Sequence, residues 1–262
     1  MKKKIRRIIM AVLLVIFIGS VGVIGFVMKQ YRDNDRIYAQ ASEEFTKTNE
    51  ASGGEIAPKV VDFDALRQVN AEVAAWIYCE GTVIDYPVLQ GGDNKFYLSH
   101  TYEKDYSVSG SIFADCHNRP GFADANTILY GHHMKNDSMF ATLENWQDQQ
   151  YYEDHPVMWL LTPEQDYKIE LFSGYMTSAR ADTYTMIQEP GEEMDAYLEK
   201  ALSQSAFQTD VELDRESRYV LLSTCAYVFD NARAVLHGKL VPAGSAGGTP
   251  LTGSGVEAGQ EN

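Results

Sequence analysis

The sequence predicts a mainly β fold in which short strands close, or nearly close, a barrel. Strand-forming runs bounded by turn residues lie at residues 82–89, 110–115, 127–130, 157–161, 167–176, 218–223 and 232–240. Seven or more short strands with few helices are typical of barrels and related closed sheets. A hydrophobic fraction of 45%, with 11% aromatic residues, supplies enough apolar side chains for a packed core.

Two amphipathic stretches predict helices beside these strands. Between residues 62 and 78 the apolar side chains recur at steps of three and four, which predicts one helix, or two short ones broken near Asn70. Over residues 192–207 the apolar residues follow the same period, and Pro190 with two glutamates suits the first turn. The second helix is predicted just before the strand that carries Cys225.

An uncharged apolar segment occupies residues 8–28. A helix of this length covers about 30 Å, the thickness of the hydrocarbon core of a bilayer. The preceding KKKIRR cluster favours a cytoplasmic N-terminus for residues 1–7 and an extracellular location for the chain after residue 28. A cleaved signal peptide is the alternative, but the run is long and no Ala-x-Ala site follows it. We therefore expect an uncleaved single-pass anchor in the cell membrane.

The remaining chain divides by composition. Residues 29–59 are polar and pass a Ser-Gly-Gly sequence at residues 52–54, which predicts a partly helical stalk or linker. A catalytic or binding domain is expected over residues 60–242. Residues 243–262 hold few large apolar side chains, and we expect them to be disordered.

Charge excludes one class of partner. The formal net charge is −15, yet residues 1–28 contain five basic residues and no acidic one, which leaves 17 basic against 37 acidic residues beyond them. An acidic body repels phosphate backbones, so nucleic acid is not expected as a partner. The sequence shows neither a phosphate-binding glycine loop nor a metal-binding cluster, and we expect no cofactor and no metal.

The three cysteines, Cys79, Cys116 and Cys225, cannot all pair within one chain. Cys79 and Cys116 lie beside apolar runs, and we expect buried inert thiols rather than a disulfide. Cys225 ends the strand-forming run YVLLST and is the candidate nucleophile. An ordinary cysteine is only partly ionised at neutral pH, so nucleophilic use requires a nearby base or positive charge.

Two other segments offer such partners. His132 and His133 follow Gly131 at the end of the run at residues 127–130, where an imidazole would project from a rigid strand into a cleft. Arg233 lies in the strand-forming run after Cys225 and could stand beside the thiol across a hairpin, with N–H donors for a developing oxyanion. A surface arginine on an outward strand position is the simpler interpretation of Arg233 alone.

The motifs NTILYGHHM, LLSTC and FDNAR, in the chain order His, Cys, Arg, resemble the sortase family, most closely its class B. The class B signature around the nucleophile is TLSTC, so this chain departs from it at one position that the chemistry does not need. The upstream sequences DFDALRQVNAEVAAWIY and GSIFADCHN are also similar. The resemblance covers about residues 60–242 and implies an eight-stranded sortase-type β-barrel, with N-terminal helices and an extra helix before the nucleophile strand.

The resemblance also implies a function. Class B sortases are cysteine transpeptidases that cleave a C-terminal sorting signal between Thr and Gly through a thioacyl intermediate. Cys225 corresponds to the nucleophile, His132 to the general acid and base, and Arg233 to the residue that holds the substrate carbonyl or oxyanion. By the same resemblance, Ser223 and Thr224 are weaker candidates for contact with the substrate. The implied partners are surface proteins that carry sorting signals, and peptidoglycan or its lipid-linked precursor as the amine acceptor.

Several points stay open at this level. Strand alternation allows only one of His132 and His133 to face Cys225, and we expect His132→Ala to abolish turnover and His133→Ala to spare most of it. The tail sequence TPLTG at residues 249–253 resembles a sorting signal but lacks the apolar span that should follow. Alternative functions are a pilin-polymerising sortase, another wall enzyme such as an L,D-transpeptidase, or an anchored binding module with a buried cysteine.

Overall fold

The computed structural model describes residues 2–50, 53–226 and 230–244, and its centre is a closed barrel of eight strands. In chain order the described strands are β1 (Thr46–Thr48), β2 (Lys59–Val61), β3 (Val73–Tyr78), β4 (Asp85–Leu89), β5 (Ile112–Ala114), β6 (Asn126–Tyr130), β7 (Val157–Leu161), β8 (Tyr167–Ser178), β9 (Arg218–Cys225) and β10 (Ala232–Pro242). The α-helices are α1 (Lys2–Phe45), α2 (Phe63–Val69), α3 (Gln149–Asp154) and α4 (Glu192–Gln204). Short 3-10 helices cover Phe96–Leu98, Pro120–Phe122, Ala141–Gln147 and Asp182–Tyr184.

The barrel closes in the order β10, β8, β7, β3, β4, β5, β6, β9 and back to β10. Two neighbouring pairs, β4 with β5 and β6 with β9, are parallel, and the other pairs are antiparallel. Strands β1 and β2 form a separate two-stranded sheet. The prediction of a mainly β, eight-stranded barrel is thus confirmed.

The prediction of a helix over residues 73–78 was wrong. Val73–Tyr78 was expected to continue the helix that begins near residue 62, but α2 stops at Val69 and a strand follows. Strand β3 lies between β4 and β7, and most of its side chains are buried. Burial of successive residues removes the alternation that marks a half-exposed strand. The spacing of Val73, Trp76 and Ile77 therefore imitated a helical period.

Helix α1 continues beyond the apolar segment and packs against the barrel. One 18-residue window of the helix has a mean hydropathy of 2.9 and no buried residue, so it is long and apolar enough to cross a membrane. Further along, Asn34, Tyr38, Ala41 and Phe45 are buried. The Tyr38 hydroxyl donates to the carbonyl of Gly110 at 2.7 Å. The predicted stalk therefore includes chain that packs on the barrel, and the domain boundaries themselves stay predictions.

Helix α4 covers a second core on the outer face of the barrel. Its residues Met194, Leu198 and Ala201 are buried against side chains from β6, β8, β9 and β10. Alternate residues of a strand face opposite sides of the sheet, so β9 sends Leu222 into the barrel and Leu221 towards α4. The predicted helix before the nucleophile strand is confirmed, with its end at Gln204.

Candidate active site

The parallel pairing of β6 with β9 brings the predicted histidine and cysteine to one end of the barrel. Their last registered pair is Tyr130 with Ser223, and the Gly131 amide donates to the Ser223 carbonyl at 3.1 Å. His132 lies two residues beyond Tyr130, and Cys225 lies two residues beyond Ser223. Both side chains therefore emerge at the same edge, and both line one cavity.

Glycine at position 131 is a requirement of packing. A Cβ added there would meet the side chain of Ile112, and it would lie 2.7 Å from the ring of Phe140. Such separations are well inside normal contact, so any larger residue would push the chain away from its neighbours. The close approach at Gly131 fixes where the backbone turns before His132.

The antiparallel pairing of β9 with β10 supplies the third predicted residue. Arg233 is the direct cross-strand partner of Cys225, as the hairpin interpretation required. Its Nη1 donates to the Ala232 carbonyl at 2.9 Å, which anchors the guanidinium beside the strand. Directly opposed residues in an antiparallel pair have Cβ atoms about 5 Å apart, so the arginine is within reach of groups at the thiol.

These residues surround a cavity of about 340 Å³. Its lining comprises Asn94, Leu98, Phe113, Tyr130, Gly131, His132, Ala179, Tyr184, Ser223, Thr224, Cys225 and Arg233. The volume suits a short peptide segment or another small ligand. All five predicted site residues therefore border the same cavity.

His132 is oriented by a backbone group of the 3-10 helix Phe96–Leu98, 34 residues away in the chain. Its Nε2 lies 2.7 Å from the carbonyl oxygen of Leu98. A carbonyl only accepts, so Nε2 carries the proton in this contact, and Nδ1 is the basic nitrogen of the neutral ring. Leu98 belongs to the cavity lining. The sequence does not predict its role, because every residue has a backbone carbonyl and the residue type does not show which one faces the site.

His133 has a different environment. Its Nδ1 lies 2.8 Å from the Cys225 carbonyl oxygen and 2.8 Å from Glu144 Oε1, and its side chain is 15% exposed. His133 is absent from the cavity lining, whereas His132 is part of it. This arrangement supports His132 as the candidate acid and base, as the motif comparison implied.

Ser223 and Thr224 border the cavity with little exposed surface. Each is 2% exposed, and the Ser223 hydroxyl pairs with the Tyr184 hydroxyl at 2.7 Å. Burial raises the pKa of Tyr184, while the nearby Arg233 opposes that shift. The tyrosine therefore stays protonated at neutral pH and can donate. Tyr184 was missed because its segment carries no strand or helix pattern.

The two remaining cysteines differ from each other. All three thiols are free, which confirms the expectation of no disulfide between Cys79 and Cys116. Cys79 is buried, and burial raises the pKa of its thiol to about 12. Cys116 was also expected to be buried, but it is only half-buried, because it lies in the turn after β5 rather than inside a strand. Burial and the neighbouring Asp115 raise the pKa of Cys116.

A group of possible metal ligands lies near the cavity. One ligand atom from each of Asp115, Cys116 and His117 lies within 4.8 Å of the others. The Asp115 carboxylate is engaged within the protein, since it accepts from the Tyr130 hydroxyl at 2.9 Å and from the His117 amide at 2.9 Å. Three adjacent residues follow no familiar metal-binding spacing, so the sequence does not predict this group.

Comparison with known proteins now adds the family. The sortase domain model matches residues 77–241. The chain is 34% identical to sortase B of Listeria monocytogenes over 236 residues, which cover 88% of this chain and 94% of that protein. It is 30% identical to sortase B of Staphylococcus aureus over 237 residues, with 90% and 95% covered.

A solved structure agrees in fold as well as in sequence. Sortase B from Bacillus anthracis, in complex with AAEK1, superposes with a TM-score of 0.69 at 33% identity, over 82% of this chain and 99% of that chain. The family model spans more than half of this chain. The matched residues contain nearly all of the closed eight-stranded barrel. The chain therefore belongs to the sortase family of cysteine transpeptidases, and its relatives are sortases of class B.

Proposed function

We propose that this protein is a membrane-anchored class B sortase that cleaves a sorting signal between Thr and Gly and joins the acyl part to a cell-wall amine. The observation that carries the proposal is the meeting of Cys225, His132 and Arg233 around one cavity. The three residues come from different strand ends, and in each case the strand pairing accounts for the position. A buried cysteine in a binding module would not require that convergence.

In the proposed reaction, the Cys225 thiolate attacks the carbonyl carbon of the Thr residue. The carbonyl electrons move to oxygen, and the Arg233 guanidinium donates hydrogen bonds to that oxyanion. Collapse of the intermediate breaks the Thr–Gly bond, and His132 gives a proton to the departing amine. A thioester then joins the Thr acyl group to Sγ.

The second half reverses these roles. An amine of peptidoglycan, or of its lipid-linked precursor, attacks the thioester, and His132 accepts the proton that the amine loses. Collapse breaks the carbon–sulfur bond and restores the Cys225 thiolate. The product is a surface protein joined by a new amide bond. Polymerisation of pilins would use the same steps with a lysine of the next pilin as the amine.

The site is proposed to face the extracellular space. Helix α1 carries the apolar segment, and the basic residues before it favour a cytoplasmic N-terminus. A membrane-impermeant maleimide added to intact cells tests the orientation. The Cys116 thiol should be labelled in the Cys225→Ala variant without lysis, and labelling that requires lysis contradicts the topology.

The reaction itself is tested on the full-length chain in detergent, with a panel of sorting-signal peptides. Mass spectrometry should detect a thioacyl adduct on Cys225 with one or more peptides, and the mass should identify cleavage after Thr. Addition of an amine acceptor should discharge the adduct as an amide product. The Cys225→Ala variant is the control. A panel that leaves Cys225 unmodified, although iodoacetamide alkylates it, contradicts the proposal.

The TPLTG sequence at residues 249–253 lies outside the described residues, but the fold limits its use within one molecule. Arg233 pairs with Cys225 at one end of β10, and the strand then runs away from the cavity to Pro242, about 30 Å at 3.3 Å per residue. Thr252 is ten residues further, a reach of at most about 36 Å when fully extended. Entry into the same molecule's cavity would need a nearly straight return path. A chain that ends at Pro242 should therefore show the same kinetics as the full chain.

A further inference from the structure

We propose that His133 and Glu144 form a positioning pair that fixes the peptide bond after Cys225, and with it the placement of the thiol opposite His132. The inference rests on the proposed function, because it assigns a role in the same site. The pair touches the nucleophile's backbone rather than the substrate, so its members are positioning residues.

The contacts define the pair. His133 Nδ1 lies 2.8 Å from the Cys225 carbonyl oxygen and 2.8 Å from a carboxylate oxygen of Glu144. Both neighbours are acceptors, so Nδ1 must carry the proton that they share. The negative carboxylate stabilises that tautomer and orients the ring, as a carboxylate behind a histidine commonly does. The side chain of Glu144 is 30% exposed, so the interaction is partly shielded from water.

The peptide that His133 contacts is held from its other side by β10. The Ala226 amide donates to the Ala232 carbonyl at 2.9 Å, while the Cys225 carbonyl accepts from His133. Cys225 is the last residue of β9, where main-chain pairing to β6 has already ended at Ser223. The imidazole therefore replaces a missing strand neighbour at the residue that must be placed most accurately.

The same loop carries both histidines, which connects the pair to the catalytic geometry. The Phe140 amide donates to the His132 carbonyl at 3.0 Å, and His133 forms a β-bridge with Met139. Glu144 follows in the Ala141–Gln147 helix. These contacts join the two ends of the loop at residues 132–140. The hydrogen bond from His133 to the Cys225 carbonyl then links this loop to the end of β9. Loss of the contact should let the thiol and His132 move relative to each other.

The test uses His133→Leu, His133→Asn and Glu144→Gln in the full-length chain. Leucine removes the donor, whereas the amide nitrogen of asparagine stands near the position of Nδ1. We expect His133→Leu to lower kcat for peptide cleavage about tenfold with little change in KM, because misplacement of reacting groups costs rate. This loss is larger than the sequence alone leads us to expect, namely that His133→Ala spares most of the turnover. His133→Asn should recover most of the loss, and Glu144→Gln should lose less than His133→Leu.

A second measurement separates this role from general stability and from the proposed function. The rate at which iodoacetamide alkylates Cys225 is followed against pH, with thermal unfolding as a check of folding and Glu153→Gln as the matched control. The alkylation profile should shift in His133→Leu and return in His133→Asn. Alkylation needs no sorting signal, so it tests the pair even if no peptide is cleaved.

The proposal is overturned if folded His133→Leu keeps the wild-type kcat and alkylation profile. It is also overturned if folded His133→Asn is impaired as much as His133→Leu, because the donor would then be irrelevant. Should His133→Leu fail to fold, Glu144→Gln carries the test, and a wild-type kcat with a wild-type alkylation profile in that variant rejects the pair.

Discussion

At the cavity end of the barrel, His132 stands on the rim beside Cys225, whereas beneath α4 another histidine, His237, is enclosed by aromatic rings. Strand β10 contributes to both regions, with Arg233 in the first and His237 four residues later in the second. His237 is 1% exposed and stacks on Tyr175 with ring centroids 5.3 Å apart.

The difference lies in what covers the strands. Helix α4 seals the outer face around His237, and burial lowers the pKa of that histidine to about 3. No comparable helix covers the strand ends at the cavity within the described residues, so His132 can meet a substrate. The same residue type therefore serves packing in one region and, in the proposed reaction, proton transfer in the other, according to the element that lies over it.

The largest expected effect separates the two histidines directly. His132→Ala should lower kcat about 10³-fold, since loss of a general acid and base typically costs that much. His237→Phe should keep the rate close to that of the wild type, because His237 does not line the cavity and phenylalanine preserves the stack on Tyr175. Chromatographic assay of peptide cleavage gives both numbers. A His133→Ala variant that loses more activity than His132→Ala would reverse the assignment.

A smaller effect is expected for the guanidinium. Arg233→Lys retains the positive charge but loses the planar set of donors, and kcat should fall about 10²-fold. Arg218→Lys is the matched control, because Arg218 is exposed at the opposite end of β9. Equal activity of the two variants would show that charge alone suffices at the oxyanion.

The third test concerns packing at the rim. Gly131→Ala forces a methyl group against Ile112 and Phe140, and overpacking of this kind costs about 1–3 kcal/mol in the free energy of unfolding. Gly92→Ala is the control, since nothing lies within 4 Å of an added Cβ there. Denaturant unfolding measures both. If the two variants are equally stable, the backbone at Gly131 adapts more easily than its contacts suggest.

The smallest expected effect is the pH response of the enclosed histidine. His237 binds a proton near its ordinary pKa of 6.5 when unfolded but only near 3 when folded, so stability is complete above pH 6.5 and declines as the pH falls towards 3. Between pH 7 and 5.5 this contributes a loss of about 1 kcal/mol. His237→Phe should show a flatter dependence in denaturant titrations. If the free energy of unfolding of His237→Phe depends on pH as steeply as that of the wild type, other groups take up the proton.

The elements that the sequence predicted have either a clear helical period or a short apolar run bounded by turn residues. Strand β7 falls at the predicted residues, and α4 keeps its predicted start. Strand β3 was missed because its apolar residues continue the three- and four-residue spacing of α2, with no turn signal strong enough to separate the two elements. The packed part of α1 has buried residues at Asn34, Tyr38, Ala41 and Phe45, a helical spacing that the surrounding polar residues concealed.

The site residues also separate into those that the sequence predicts and those that it does not. Cys225, His132 and Arg233 could be predicted because each ends or begins a recognisable strand and belongs to a motif. The Leu98 carbonyl, the Tyr184 hydroxyl and the Glu144 carboxylate could not. Leu98 and Tyr184 lie 34 and 39 residues from their partners in the chain, and Glu144 lies in a short helix that belongs to none of the motifs. Such contacts depend on the closed barrel and leave no local signature.

The continuity of α1 has a consequence for how substrates arrive. In the proposed topology the apolar segment ends at residue 28, and the first side chain packed against the core of the domain is Tyr31, three residues or about 4.5 Å along the helix. The domain would then stand at the level of the lipid headgroups. A substrate still held by its own membrane segment and a lipid-linked acceptor would both reach it by lateral diffusion, so encounter becomes a two-dimensional search.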